Sequence, residues 1–209
     1  MGTTERRARQ KQEVREKILD AARSLFASEG YEAVTMRQIA DKIEYTPTTI
    51  YGHFKDKAEM LAELCRVDFA TLAAVFAKLA QVRDPVERIR RLGHTYIEFA
   101  VQYPNHYRLM FMTTHPPATP EELEDKGNGD PDEDAYLFLR TTVAEALAAR
   151  RFRPEFDDAD LIAQVLWAGV HGVASLHIAK CDDRWIKWRP IPRRAEVMVE
   201  SMLSGMLRK

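Results

Sequence analysis

Residues 35–57 read TMRQIADKIEYTPTTIYGHFKDK, and this stretch decides the fold. It spells two short helices joined by a tight turn, the pattern of a helix-turn-helix. Thr35 stands where an N-cap belongs, and Met36, Ile39, Ala40 and Ile43 recur at helical spacing, which gives the first helix one buried face. Thr46 caps the second helix, and Pro47 takes its first position, where a missing N–H leaves nothing unsatisfied. Ile50 and Phe54 face inward, so the second helix is expected to run about two turns. Between these anchors Thr48, Thr49, Tyr51, Gly52 and His53 are small or flat, which keeps the helix slim enough for a DNA major groove.

The end of this stretch, Thr49-Ile50-Tyr51-Gly52-His53-Phe54-Lys55-Asp56-Lys57, resembles the close of the DNA-binding domain in the TetR (tetracycline repressor) family. There a threonine or serine, an apolar residue, a tyrosine, two variable residues and a phenylalanine precede a nearby lysine. Upstream, REKILDAARSLFASEG over 15–30 is similar to the family's first helix, and Tyr31 to Thr35 to its link. Glu44 departs from the pattern, standing where the family usually has a glycine that supplies a left-handed backbone position. The resemblance implies an all-α protein, with an N-terminal three-helix DNA-binding domain over 1–57 and a C-terminal helical effector-binding and dimerisation domain over 58–209. It also implies a homodimeric repressor, released from an approximately palindromic double-stranded DNA operator by a small molecule. Tyr51 and His53 are then expected on phosphate or base edges, with Thr48 and Thr49 nearest the groove floor and Thr46 opening the DNA-binding segment. Arg37 and Lys57 are expected to position the protein on the DNA backbone, and Thr35 to add a phosphate contact.

Composition sets the limits. The chain has 209 residues, 31 Lys and Arg against 32 Asp and Glu, and a formal charge of −1, so DNA affinity has to come from local placement of charge. Arg6, Arg7, Arg9 and Lys11 supply such a placement in a tail expected to precede the first helix. Cys65 and Cys181 have neither metal-ligand nor redox spacing; Cys65 is expected to be buried and Cys181 exposed. With no secretory signal and no membrane segment expected, the sequence reads as a cytoplasmic protein.

Beyond the helix-turn-helix the chain stays helical. A long helix is expected from Ala58 to about Gln81, and another from Pro85 to about Tyr103. A short helix follows Pro104, and then a mobile loop over 113–134, whose acidic run matches no calcium loop. Two helices close the chain, from about Asp158, capped by Asp157, to Lys180, and from about Arg193 to Leu207. The first is apolar on most of its circumference and carries small residues, Ala168, Gly169, Gly172, Ala174 and Ser175, which suit close helix approach in a dimer. Its Trp167-Ala168-Gly169-Val170-His171-Gly172 is similar to the tryptophan-histidine-glycine motif of one subgroup of the family. Tyr96, Phe99, Tyr103, Tyr107, Phe111, Phe138, Trp167 and His171 are candidates to line a pocket for an apolar or aromatic effector. Core packing explains the same aromatic residues without a ligand.

An enzyme would need a phosphate loop, a nucleophile elbow or zinc spacing, and none is legible. No cofactor is expected. The alternative is a metal-responsive regulator, because His53, His94, His106, His115, His171 and His177 come from separate segments that folding brings together.

Overall fold

The structure, a computed structural model, describes residues 3–114 and 134–208, with side chains from Glu5 onward. Most of the expected loop over 113–134, with its acidic run and His115, lies outside the described residues. The described residues form nine α-helices, a 3-10 turn and an isolated antiparallel bridge between Phe152 and Leu207. They divide into two compact units, one running to Asp68 and resuming at Asn105, the other running from Phe69 to Pro104 and resuming at Asp134. The domain expectation placed its boundary between 57 and 58. Here Met60, Leu61, Leu64 and Cys65 belong to the first core, which carries the break to Asp68.

The first unit contains α1 (Thr3–Glu29), α2 (Met36–Lys42), α3 (Pro47–Tyr51), the first half of α4 (Lys57–Ala77) and α6 (Pro104–Phe111). Helix α1 starts at Thr3, so Arg6, Arg7, Arg9 and Lys11 are helical residues and not a tail ahead of the helix. Ile18, Ala22, Phe26, Ile39, Ile50 and Phe54 form the centre of its core. Asp68 is fully buried, accepting from Arg23 of α1 and, at 2.9 Å, from His106 Nδ1 of α6. One carboxylate thereby ties three helices, and pairing on both oxygens is what makes its burial tolerable.

The turn between α2 and α3 resolves the departure at Glu44. Glu44 takes φ +60°, the left-handed value that the family's glycine supplies. Its N–H donates to Asp41 O at 3.2 Å and the Tyr45 N–H to Ala40 O at 3.0 Å, a Schellman closure of α2. Arg150 closes α7 (Ala135–Ala148) in the same way at φ +53°.

The second unit contains the rest of α4, the 3-10 turn Lys78–Gln81, α5 (Pro85–Gln102), α7, α8 (Ala159–Lys180) and α9 (Ile191–Met206). Helix α7, capped by Asp134, has no counterpart in the sequence reading, which took only Phe138 from it. Asp158, not Asp157, caps α8, accepting from Asp160 N and Leu161 N. Helices α5, α7, α8 and α9 pack on one another. Gly93 marks a close approach of α5 to α9, since a Cβ there would stand 2.8 Å from Val199 Cγ2. Gly169 likewise faces Met202, so this small residue of α8 serves the chain's own α9. At 22 residues α8 has the length and apolar composition of a membrane span. Core helices share that property, and Ile162, Ala163, Leu166, Val170, Val173 and Ala174 are buried.

Substituting Glu44→Gly relieves left-handed strain of about 1–2 kcal/mol and returns about 0.4–1 kcal/mol of backbone entropy to the unfolded chain. Chemical denaturation should therefore show stabilisation of about 1 kcal/mol, and a loss of stability would contradict the strain.

Candidate nucleic-acid interface

Helix α3 is only five residues long, too short to stand without support. Thr46 Oγ1 accepts from Thr49 N at 3.3 Å and lies 3.1 Å from Thr49 Oγ1, while Ile50 is buried beneath. The expected two turns stop at Tyr51. Gly52 donates to Thr48 O and Thr49 O, and His53 N to Ile50 O at 2.9 Å, closing the helix in a turn. On the preceding helix Thr35 forms a capping box: its Oγ1 accepts from Gln38 N at 3.2 Å, and its N–H donates to Gln38 Oε1 at 2.7 Å.

Exposure sorts the expected DNA contacts. Tyr51 is 58 % exposed, and Thr35, Arg37, Thr46 and Thr48 are also exposed, while Thr49 is half-buried. Tyr45, absent from the expected set, is also exposed at the turn, directly before the Thr46 cap. Tyr31, Thr35, Tyr51, Lys55 and Lys57 line an open cleft of about 430 Å³. Lys57 does not present a free ammonium there. Its Nζ donates to Tyr31 O at 2.8 Å and to Glu32 O at 3.3 Å and lies 4.5 Å from the Tyr31 ring centre, which braces the link before α2.

His53 is half-buried, and its Nδ1 is buried with no hydrogen-bond partner among the described residues. Its pKa is held below the ordinary imidazole value, first by burial and then by the charges of Lys11 and Arg15. The ring is neutral near neutral pH and turns one edge into the protein, so only its remaining edge is available to DNA.

The candidate effector residues divide between the units. Tyr107 and Phe111 pair at 5.0 Å between ring centres in the first unit. In the second, Phe99 pairs with Tyr103 at 5.3 Å, and Phe138 lies 6.4 Å from Phe76. Trp167 Nε1 donates to Tyr96 Oη at 3.0 Å, and that oxygen lies 3.2 Å from His171 Nδ1. An indole N–H only donates, so Tyr96 Oη accepts from Trp167, and it donates to or accepts from His171 according to which nitrogen of the neutral imidazole carries the proton. Burial favours that neutral form by lowering the His171 pKa. Tyr136 lies beside Trp167, with ring centres 6.0 Å apart and planes tilted by 53°. Among the described residues no three His, Cys, Asp or Glu are grouped to hold a metal, which leaves the metal-responsive alternative without support there. Cys65 is buried and Cys181 exposed.

Residues 18–64 match the model of bacterial regulatory proteins of the tetR family, and residues 89–203 that of the tetracyclin repressor-like C-terminal domain. The chain belongs to the TetR family. Among relatives of this TetR-family chain, the HTH-type transcriptional repressor AcnR of Corynebacterium diphtheriae is 38 % identical over 64 residues, covering 31 % of the chain and 34 % of AcnR. The repressor KstR2 of Mycolicibacterium smegmatis is 35 % identical over 82 residues, covering 37 % and 38 %. The activator FasR of the same species is 32 % identical over 100 residues, covering 47 % and 46 %. The chain thus spans between a third and a half of the length of these curated relatives, which are regulators of transcription and not enzymes. Its fold is that of SmeT, the repressor of the Stenotrophomonas maltophilia multidrug efflux pump SmeDEF, with a TM-score of 0.69 at 22 % identity over 93 % of the chain and 91 % of SmeT. It is also that of a putative fatty acid metabolism regulator from Clostridium perfringens, with a TM-score of 0.72 at 18 % identity over 92 % and 100 %.

The depressed His53 pKa fixes the sign of a pH effect. As pH falls from about 7 to 5, the unfolded chain, with an imidazole pKa near 6.5, binds the proton that folded His53 refuses, so stability declines. In denaturation series at both pH values His53→Phe should flatten part of that decline, with His171 and His177 unchanged as a common background. An equal decline in the variant would contradict the assignment.

Proposed function

We propose that this chain is a homodimeric, DNA-binding transcriptional regulator that acts as a repressor in the cytoplasm. It reads an approximately palindromic operator through Thr46 to His53 and leaves it when a small apolar or aromatic effector enters the C-terminal domain. The observation that supports the reading best is α3 itself: a helix capped at Thr46, anchored by Ile50 and Phe54, and turning an exposed Tyr51 outward. Thr48 and Thr49 have the size to sit near the groove floor, Arg37 and Thr35 flank it, and the free edge of His53 adds a contact. Lys57 is assigned mainly to bracing. In this account the FasR match leaves activation as the second mode of regulation.

Dimerisation has its own support. Leu161, Val165 and Leu176 of α8 and Val197 of α9 are all exposed, with Leu161 at 57 % and Leu176 at 50 %. An apolar face of this kind on a long helix is costly to leave in water, and a second copy covers it through the same two helices. The two reading heads then meet half-sites about one DNA turn apart. The Trp167, Tyr96 and His171 chain, with Tyr136 beside it, supports an effector that is aromatic or apolar with one hydrogen-bonding group, in a domain of the tryptophan-histidine-glycine kind.

Tyr51→Ala should weaken binding to the tightest duplex by about 1–3 kcal/mol while the dimer persists. An unchanged affinity would contradict the role given to Tyr51. Separately, Leu176→Arg should convert the dimer to monomer in sedimentation experiments without loss of helicity, and a dimer surviving it would place the interface elsewhere.

A further inference from the structure

Several cations around the helix-turn-helix are already engaged within the protein. Arg15 pairs with Glu63 at 2.9 Å, Arg23 with Asp68, and Arg37 with Asp41 at 3.9 Å, while Lys42 donates to Ser24 Oγ at 3.1 Å and Lys57 to two carbonyls. With a net charge of −1, attraction to a polyanion has to be found beyond them. Exposed Lys55 supplies one charge beside α3, and the start of α1 supplies a row of them. Arg7, Lys11 and Arg15 stand four apart on a continuous helix and so share one face. That face has a fixed orientation, because the Arg15 guanidinium lies 4.9 Å from the ring centre of Phe54, just beyond α3. Lys11 also acts electrostatically on His53, at the same end of α3. Arg7 and Lys11 are exposed and, among the described residues, have no hydrogen-bond or ion-pair partner. Arg9 projects from the opposite side of α1, where it pairs with Glu13 at 3.7 Å.

We infer that the Arg7 and Lys11 face of α1 is a second DNA contact, a phosphate-binding stripe that continues outward from the C-terminal end of α3 and adds affinity without adding sequence preference. The inference rests on the DNA-binding reading above and adds to it a defined element, a rigid helix face in place of a flexible arm. It also explains why the reading helix manages with so few cations of its own. The stripe neutralises phosphates beside the groove that α3 enters, and each such contact releases a counterion.

Binding of the full-length protein to a random-sequence duplex of about 30 base pairs, followed by fluorescence anisotropy from about 50 to about 200 mM salt, tests it. Each phosphate contact contributes about 0.9 to the slope of log affinity on log salt, so R7A/K11A should make the salt-induced loss about tenfold smaller per protomer. R9A should leave the slope within error of wild type. A slope unchanged in R7A/K11A overturns the inference, and so does an R9A effect as large as that of the double variant, which would mean a non-directional basic segment. Thermal melts confirm that the variants fold; both keep Ile18, Ala22 and Phe26. If Tyr51→Ala impairs sequence-specific binding while R7A/K11A changes nothing, the stripe fails and the proposed function stands. If wild type binds no duplex at any salt concentration, both fall.

Discussion

A five-residue helix has no conformational stability of its own, so everything proposed for α3 depends on the turn that delivers it. That turn places a glutamate in a left-handed backbone conformation and closes α2 with the Ala40 and Asp41 carbonyls. Ile50 and Phe54 then pin the far side of α3 into a core built by α1, α2 and the start of α4. The orientation of Tyr51 is thereby set by buried apolar residues and by the caps at Thr35 and Thr46, which are themselves among the exposed residues assigned to DNA. Sequence preference on this scaffold is free to vary at the exposed Thr48 and Tyr51 at little cost in stability.

Charge in the first unit follows a different logic from its position in the sequence. Lysine after the phenylalanine motif suggests a phosphate clamp, yet the Lys57 ammonium reaches back to the carbonyls of Tyr31 and Glu32. A lysine side chain is long enough to serve either end, and only folding reveals which acceptors are closer. Asp68 shows the complementary case: a buried carboxylate whose two partners come from helices 45 and 38 residues away in the chain. Removing it would leave Arg23 without its partner in a protected site, a loss that exceeds the value of any exposed ion pair.

Local signals made much of the fold legible. The capping threonines, Pro47, Pro85 and Pro104, and the period of Met36, Ile39 and Ala40 fix element starts that the structure reproduces. Helix α7 was not legible because its apolar residues are spread around the circumference and leave no clear stripe, although Asp134 is an ordinary cap. The N-terminal basic residues suggested a tail on composition alone, while their alternation with alanine, glutamine and glutamate suits a continued helix. The orphaned His53 Nδ1 and the Tyr96, Trp167 and His171 chain depend on contacts across long sequence separations, which periodicity does not encode.

Selection of bound sequences from a random DNA pool by the purified protein at near-physiological salt tests the central claim most directly. The account requires enrichment of an inverted repeat whose half-sites lie about one helical turn apart, the signature of two reading helices related by a two-fold axis. A folded, dimeric protein that enriches no sequence would contradict it.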